Sequence, residues 1–121
     1  MTALKTGQDL LREARGRVRE VSARDAIALV KSGAPVRFLD VRDLHEVNLG
    51  KIPGAVHVSR GNLESKIESQ MSRDARVVVY CANGNRSVLA ADTLQQMGYH
   101  DVSSLAGGFR DWVGEGGEVE G

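Results

Sequence analysis

The chain has 121 residues, with 16 basic side chains, 16 acidic ones and a single cysteine, Cys81. That length suits one domain with a modest core, and a hydrophobic content of 41% excludes compositional disorder. Balanced charge argues against a dedicated nucleic-acid binder, no apolar run is long enough to cross a bilayer, and one thiol excludes an internal disulfide framework and a cysteine-rich zinc site.

No basic stretch followed by an apolar one opens the chain as a secretory signal would. The expectation is a soluble protein of a reducing compartment, the cytoplasm, with neither nucleic acid nor membrane as partner. In chain order, Leu10 to Val18 reads as a helix with Leu10, Leu11, Ala14 and Val18 on one face. Ser22 is placed to cap a second helix by accepting from the amide of Asp25. That helix presents Ala26, Ile27, Leu29 and Val30, and Gly33 stops it. Val36 to Val41 reads as a short buried strand, and Asp43 to Asn48 as a helical turn. Ile52-Pro53-Gly54 is turn chemistry, and Ala55 to Ser59 is a second strand. Leu63 to Met71 is helical, with Leu63, Ile67 and Met71 in step. Arg76 to Tyr80 carries three consecutive valines, as in a strand covered on both faces. Ser87 to Met97 is a helix ending at Gly98. Val102 to Leu105 is a further strand, and Phe109 to Val113 a closing helix.

Charge divides the ends. Residues 1–24 hold six basic and three acidic side chains, while residues 107–121 hold Arg110 against Asp111, Glu115, Glu118 and Glu120. The division expected is an N-terminal helical extension over 1–17, a domain over 18–113 and a poorly ordered, acidic, glycine-rich tail over 114–121. Strands alternating with helices argue for an α/β layer fold with a mostly parallel sheet. In such sheets ligands bind outside the carboxyl ends of the strands. Cys81 sits at such an end, directly after Val77-Val78-Val79-Tyr80.

The segment from Cys81 to Ser87 carries the chemistry. A strand ends, a loop of Ala82, Asn83, Gly84 and Asn85 follows, and a helix begins near Arg86 and Ser87. The amides of such a loop can form an anion-binding nest, to which a helix N-terminus adds partial positive charge. That setting favours a thiolate. Gly84 permits a left-handed torsion, Arg86 offers a planar fork to an oxyanion, and Ser87 can cap the helix and offer its hydroxyl to the sulfur. An isolated cysteine is more often a small buried core residue. Here the flanking loop and arginine favour a reactive one.

Several separated motifs make the chain resemble the single-domain rhodaneses, a sulfurtransferase family. They are Phe38-Leu-Asp-Val-Arg42 with Glu46 beyond it, Gly50-Lys-Ile-Pro-Gly-Ala55, Val78-Val-Tyr-Cys81-Ala-Asn-Gly-Asn-Arg-Ser87, Leu94 to Tyr99, and Leu105-Ala-Gly-Gly-Phe-Arg-Asp-Trp112. They span Val21 to Trp112. The resemblance implies a three-layer fold with a five-stranded, mostly parallel sheet flanked by helices. It also implies a sulfur transfer in two halves, with Cys81 as nucleophile. Cys81 takes a sulfane sulfur from thiosulfate or a persulfide donor, and the resulting persulfide passes it to a thiol or cyanide. Amides of Ala82 to Ser87 would hold the persulfide, and Asp40 and Arg42 would border the pocket. Asp40 could equally cap local amides, and Arg42 could pair with Glu46 at the surface. Arg60 is a further candidate pocket cation. No cofactor is called for, and His45, His57 and His100 stand singly, so none is read as a metal ligand.

Two departures bear on this. Lys51 stands where the family usually has His before the Ile-Pro-Gly-Ala turn. The active loop carries one basic residue, whereas rhodaneses suited to thiosulfate carry more. With no second thiol, the sulfur must leave to an external acceptor, small molecule or partner protein. Two alternatives remain: a non-catalytic rhodanese-like binding or sensing module, which Cys81 argues against, and a cysteine-dependent phosphatase. Phosphatase loops hold one residue more between Cys and Arg than the four found here.

Overall fold

The computed structural model describes residues 4–121. Residues 1–3, the start of the expected N-terminal extension, lie outside the described residues. The elements run α1 (Gly7–Arg15), β1 (Arg19–Val21), α2 (Ala23–Lys31), β2 (Arg37–Asp40), α3 (Leu44–Val47), β3 (Val56–His57), α4 (Leu63–Gln70), β4 (Val77–Tyr80), α5 (Asn85–Gln96), β5 (Val102–Leu105) and α6 (Gly108–Gly114). The strands form one sheet in the order β1-β5-β4-β2-β3, and every neighbouring pair is parallel. The expected α/β architecture, a five-stranded sheet flanked by helices, is the one observed.

Side-chain alternation along β4 explains the layers. Val77, Val79 and Cys81 enter one core with Leu63 and Ile67 of α4 and Ala90, Ala91 and Leu94 of α5. Val78 and Tyr80 enter the other, with Ala23 and Ala26 of α2 and Trp112 of α6. All three valines are buried, as a central parallel strand requires. Each contributes roughly 1.5–3 kcal/mol by leaving water.

Three differences from the sequence reading have physical causes. The first helix starts and ends about three residues earlier than Leu10 to Val18, because Thr6 and Asp9 form a reciprocal capping box ahead of it. β1 escapes a hydrophobic reading because only Val21 of its three residues is apolar; it is an edge strand paired solely to β5. The tail, expected to be poorly ordered, is tied down. The Trp112 indole N–H donates to the carbonyl of Glu118 at 2.7 Å, and Lys51 and Glu120 exchange two backbone hydrogen bonds.

The topology fixes where a site can form. The chain leaves β2 toward β3 at one edge and leaves β4 toward β5 on the other side. Adjacent connections that depart in opposite directions open a crevice at the carboxyl ends of the two strands. Those ends carry Asp40 to Arg42 and Cys81.

Candidate active site

Cys81 follows the last residue of β4, and its sulfur is fully buried. The backbone N–H of Gly84 donates to Sγ at 3.1 Å and that of Ser87 at 3.4 Å. Ser87 Oγ lies 3.5 Å from the sulfur and 2.8 Å from Ser104 Oγ on the neighbouring β5. The sulfur therefore sits in a small ring of donors at the start of α5, where helix amides lack intrahelical partners. Such a ring solvates negative charge on sulfur without water.

The loop takes this shape because its carbonyl side is pinned. The N–H of Phe109 donates to the Cys81 carbonyl at 2.8 Å and that of Arg110 to the Ala82 carbonyl at 3.1 Å, both from the first turn of α6. Such close approach demands glycine. A Cβ on Gly108, whose φ is +62°, would stand 2.5 Å from the Cys81 oxygen; one on Gly84, φ +100°, would stand 3.2 Å from the Gly107 nitrogen. The Gly-Gly pair before Phe109, visible in the sequence as a motif without a role, thus shapes the Cys81 loop.

Among the loop residues singled out from sequence, Gly84 and Ser87 aim amides at the sulfur. Asn83 accepts from the Asn85 amide at 3.4 Å, and Ala82 supplies the carbonyl held by α6. Arg86 behaves differently from expectation. Its fork does not stand open for an oxyanion but closes on Glu46, both guanidinium nitrogens donating to the carboxylate at 2.8 Å. Arg86 draws the Glu46 carboxyl from its ordinary 4.5 down to about 2 against an opposing desolvation cost, and Glu46 in turn holds the guanidinium more firmly protonated. The signal for this partner was present in sequence, since Glu46 is part of the motif that begins at Phe38.

Asp40 and Arg42 are brought beside the site as one buried unit. Arg42 donates to both Asp40 oxygens, at 2.8 and 3.0 Å, and to the Gly50 carbonyl at 2.7 Å. Its guanidinium stacks 4.4 Å from the Phe109 ring centre. Burial opposes the Arg42 charge, but Asp40 outweighs it and firms the protonated form. The surface pairing of Arg42 with Glu46 weighed from sequence is not found: Arg42 is buried with Asp40, and Glu46 belongs to Arg86. Burial and the Asp40 charge raise the Tyr80 phenol above its ordinary range, and its oxygen accepts from the Ile52 amide at 3.1 Å.

Arg60 is held by Glu64 and Thr93, which gives its fork partners other than the Cys81 loop. His57 Nε2 lies 2.8 Å from the Arg42 carbonyl oxygen. The fold does gather donor atoms of Asp43, His45 and Glu46 within 4.8 Å of one another, but Glu46 is committed to Arg86. An apolar pocket of about 100 Å³ between α2, α6 and Pro53 is lined by Phe38, Ile52 and Trp112, not by Cys81.

Fold and site together define a class: an α/β protein with one buried thiol on an amide-lined loop at a topological switch point. The Rhodanese-like domain profile matches residues 22–115, and the chain belongs to that family. It is 42% identical over 87 residues to the thiosulfate sulfurtransferase GlpE of Pseudomonas fluorescens, covering 72% of this chain and 77% of that one. It is 30% identical over 112 residues to the putative sulfur carrier protein YrkF of Bacillus subtilis, covering 93% of this chain and 60% of that protein's length. A solved structure from Rhodopseudomonas palustris, described as a protein of unknown function and "possible tyrosine phosphatase", is 40% identical with a TM-score of 0.88, over 99% of this chain and 98% of that one. Family and relatives support sulfurtransferase chemistry in broad terms. Among the described residues, no helix is long and apolar enough to cross a membrane.

Proposed function

We propose that the protein is a sulfurtransferase that works through a persulfide on Cys81. The observation that carries this reading is the pair of backbone amides, of Gly84 and Ser87, that donate to Sγ, with Ser87 Oγ 3.5 Å from the sulfur. The Cys81 thiolate attacks the sulfane sulfur of the donor. With thiosulfate, a new S–S bond forms to Cys81, the old S–S bond breaks, and sulfite leaves with the electron pair. The outer sulfur of the persulfide carries the negative charge, which the loop amides hold. Cyanide or an acceptor thiolate then attacks that outer sulfur and releases the Cys81 thiolate. Asp40 and Arg42 border the pocket by fixing the β2 end rather than by gripping substrate.

Charge bears on the donor. Two guanidinium groups beside the site, Arg86 and Arg42, are each neutralised by a carboxylate. A site so balanced favours a singly charged persulfide of a small thiol or a partner protein over the thiosulfate dianion. The same pairing counts against phosphate-ester chemistry, which needs an open arginine fork. The compartment this implies is a reducing one, such as the cytoplasm, where a lone thiol stays free.

The test is thiocyanate formation from cyanide, with thiosulfate and glutathione persulfide compared as donors. The expected result is turnover with both, faster with the persulfide, and none in Cys81→Ser with an unchanged circular-dichroism spectrum. Turnover retained in Cys81→Ser would overturn the assignment.

A further inference from the structure

The loop that carries Cys81 is gripped at two consecutive residues, Asn85 and Arg86. Arg86 is held by Glu46 of α3, and Asn85, the first residue of α5, is held by Arg15 at the end of α1. Arg15 Nη2 donates to Asn85 Oδ1 at 2.8 Å, while its Nη1 donates to Glu20 Oε2 on β1 at 3.0 Å. The end of α1 and the residues that follow it are docked, since Ala14 of α1 and Val18 just beyond it are buried and Arg17, two residues past the helix, makes a two-pronged contact with Asp92 of α5 at 2.8 and 2.9 Å. β1 is anchored too, with Glu20 in register with Ser104 of β5, whose hydroxyl reaches Ser87. Arg15 therefore joins a rigid frame to the one loop whose geometry matters.

We propose that Arg15 is a positioning residue for the Cys81 loop, acting through Asn85, so that the N-terminal helix is part of the active site. The inference rests on Cys81 being the sulfur-accepting thiol. Asn85 lies between Gly84 and Ser87, the two residues whose amides reach the sulfur, and helix ends fray when nothing ties their first turn. Fixing the first residue of α5 fixes the direction of both amides. Misplacement of such groups by a fraction of an ångström slows a reaction without altering how substrate is first bound. Neither residue signals this in sequence, as they stand 70 positions apart, and Arg15 lies ahead of the residues that match the family profile.

The experiment compares wild type, Arg15→Ala, Arg15→Lys, Asn85→Ala and the double variant. Sulfur transfer to cyanide and hydrogen exchange of the Gly84 amide are followed in the full chain. Arg15→Ala should lower kcat about three- to tenfold, the worth of one charge-assisted hydrogen bond, with KM nearly unchanged. Arg15→Lys, which keeps a donor for Asn85, should recover most of the loss. The double variant should be no slower than the slower single one, because both act through the same contact. Gly84 exchange should quicken severalfold in Arg15→Ala while amides in the last turn of α5 stay as they were. Unchanged Gly84 exchange in Arg15→Ala, or losses that multiply in the double variant, would overturn the proposal. Because Gly84 exchange needs no sulfur chemistry, a wild type that accepts no sulfur would refute the functional reading alone.

Discussion

The Glu46–Arg86 pair makes a prediction whose size follows from its geometry. In Glu46→Gln the two 2.8 Å contacts between opposite charges become at best one hydrogen bond from the charged guanidinium to a neutral amide oxygen. A carboxyl drawn from 4.5 to about 2 would correspond to at most about 3 kcal/mol of folding stability. The Glu46 side chain is 23% exposed and that of Arg86 36%, so solvent screening reduces this to about 1–2 kcal/mol. The Glu46 value is depressed in the fold. The stabilisation is therefore complete above pH 4.5 and is lost as pH falls toward 2. Urea denaturation of wild type and Glu46→Gln at several pH values reads this directly. The expected gap is about 1–2 kcal/mol at pH 7, narrowing as pH falls from 5 toward 3. A gap that stays constant across that range would refute the reasoning, because it would then owe nothing to the Glu46 charge.

Other perturbations test the rest of the frame. Asp40→Asn leaves the Arg42 guanidinium buried beside a neutral partner and should cost about 3–5 kcal/mol in urea denaturation; a loss under about 1 kcal/mol would mean that Gly50 and Phe109 suffice to hold it. Gly108→Ala forces a side chain into a left-handed position with its Cβ 2.5 Å from the Cys81 oxygen. It should lower stability by about 2–4 kcal/mol and slow sulfur transfer, whereas Gly61→Ala, with nothing within 4 Å of its Cβ, should do neither. Equal thermal shifts in the two glycine variants would remove Gly108 from the account.

What could be read from sequence followed the strength of local signals. The three valines of β4 and the apolar spacing of α4 and α5 announce buried elements by themselves, and Ser22 caps α2 through the Asp25 amide as its position predicts. Cys81, Gly84 and Ser87 were legible because a strand, a glycine-containing loop and a helix start follow one another in the chain. β1 was hidden because its pairing with β5 is non-local and its residues are mostly polar. The tail looked disordered by composition, yet Trp112 and Lys51 supply partners that composition does not reveal. The partners of charged residues were the least legible feature. Arg42 turned to Asp40, Arg86 to Glu46 and Arg15 to Asn85, and only the fold decides which carboxylate or amide lies within reach.

The central claim is that Cys81 carries the transferred sulfur, and intact-mass spectrometry of the protein after exposure to a donor tests it most directly. The protein should gain about 32 Da, one sulfur atom held as a persulfide, after treatment with glutathione persulfide or thiosulfate. The gain should map to Cys81, vanish on addition of cyanide, and be absent from Cys81→Ser. No added mass with either donor would contradict the account.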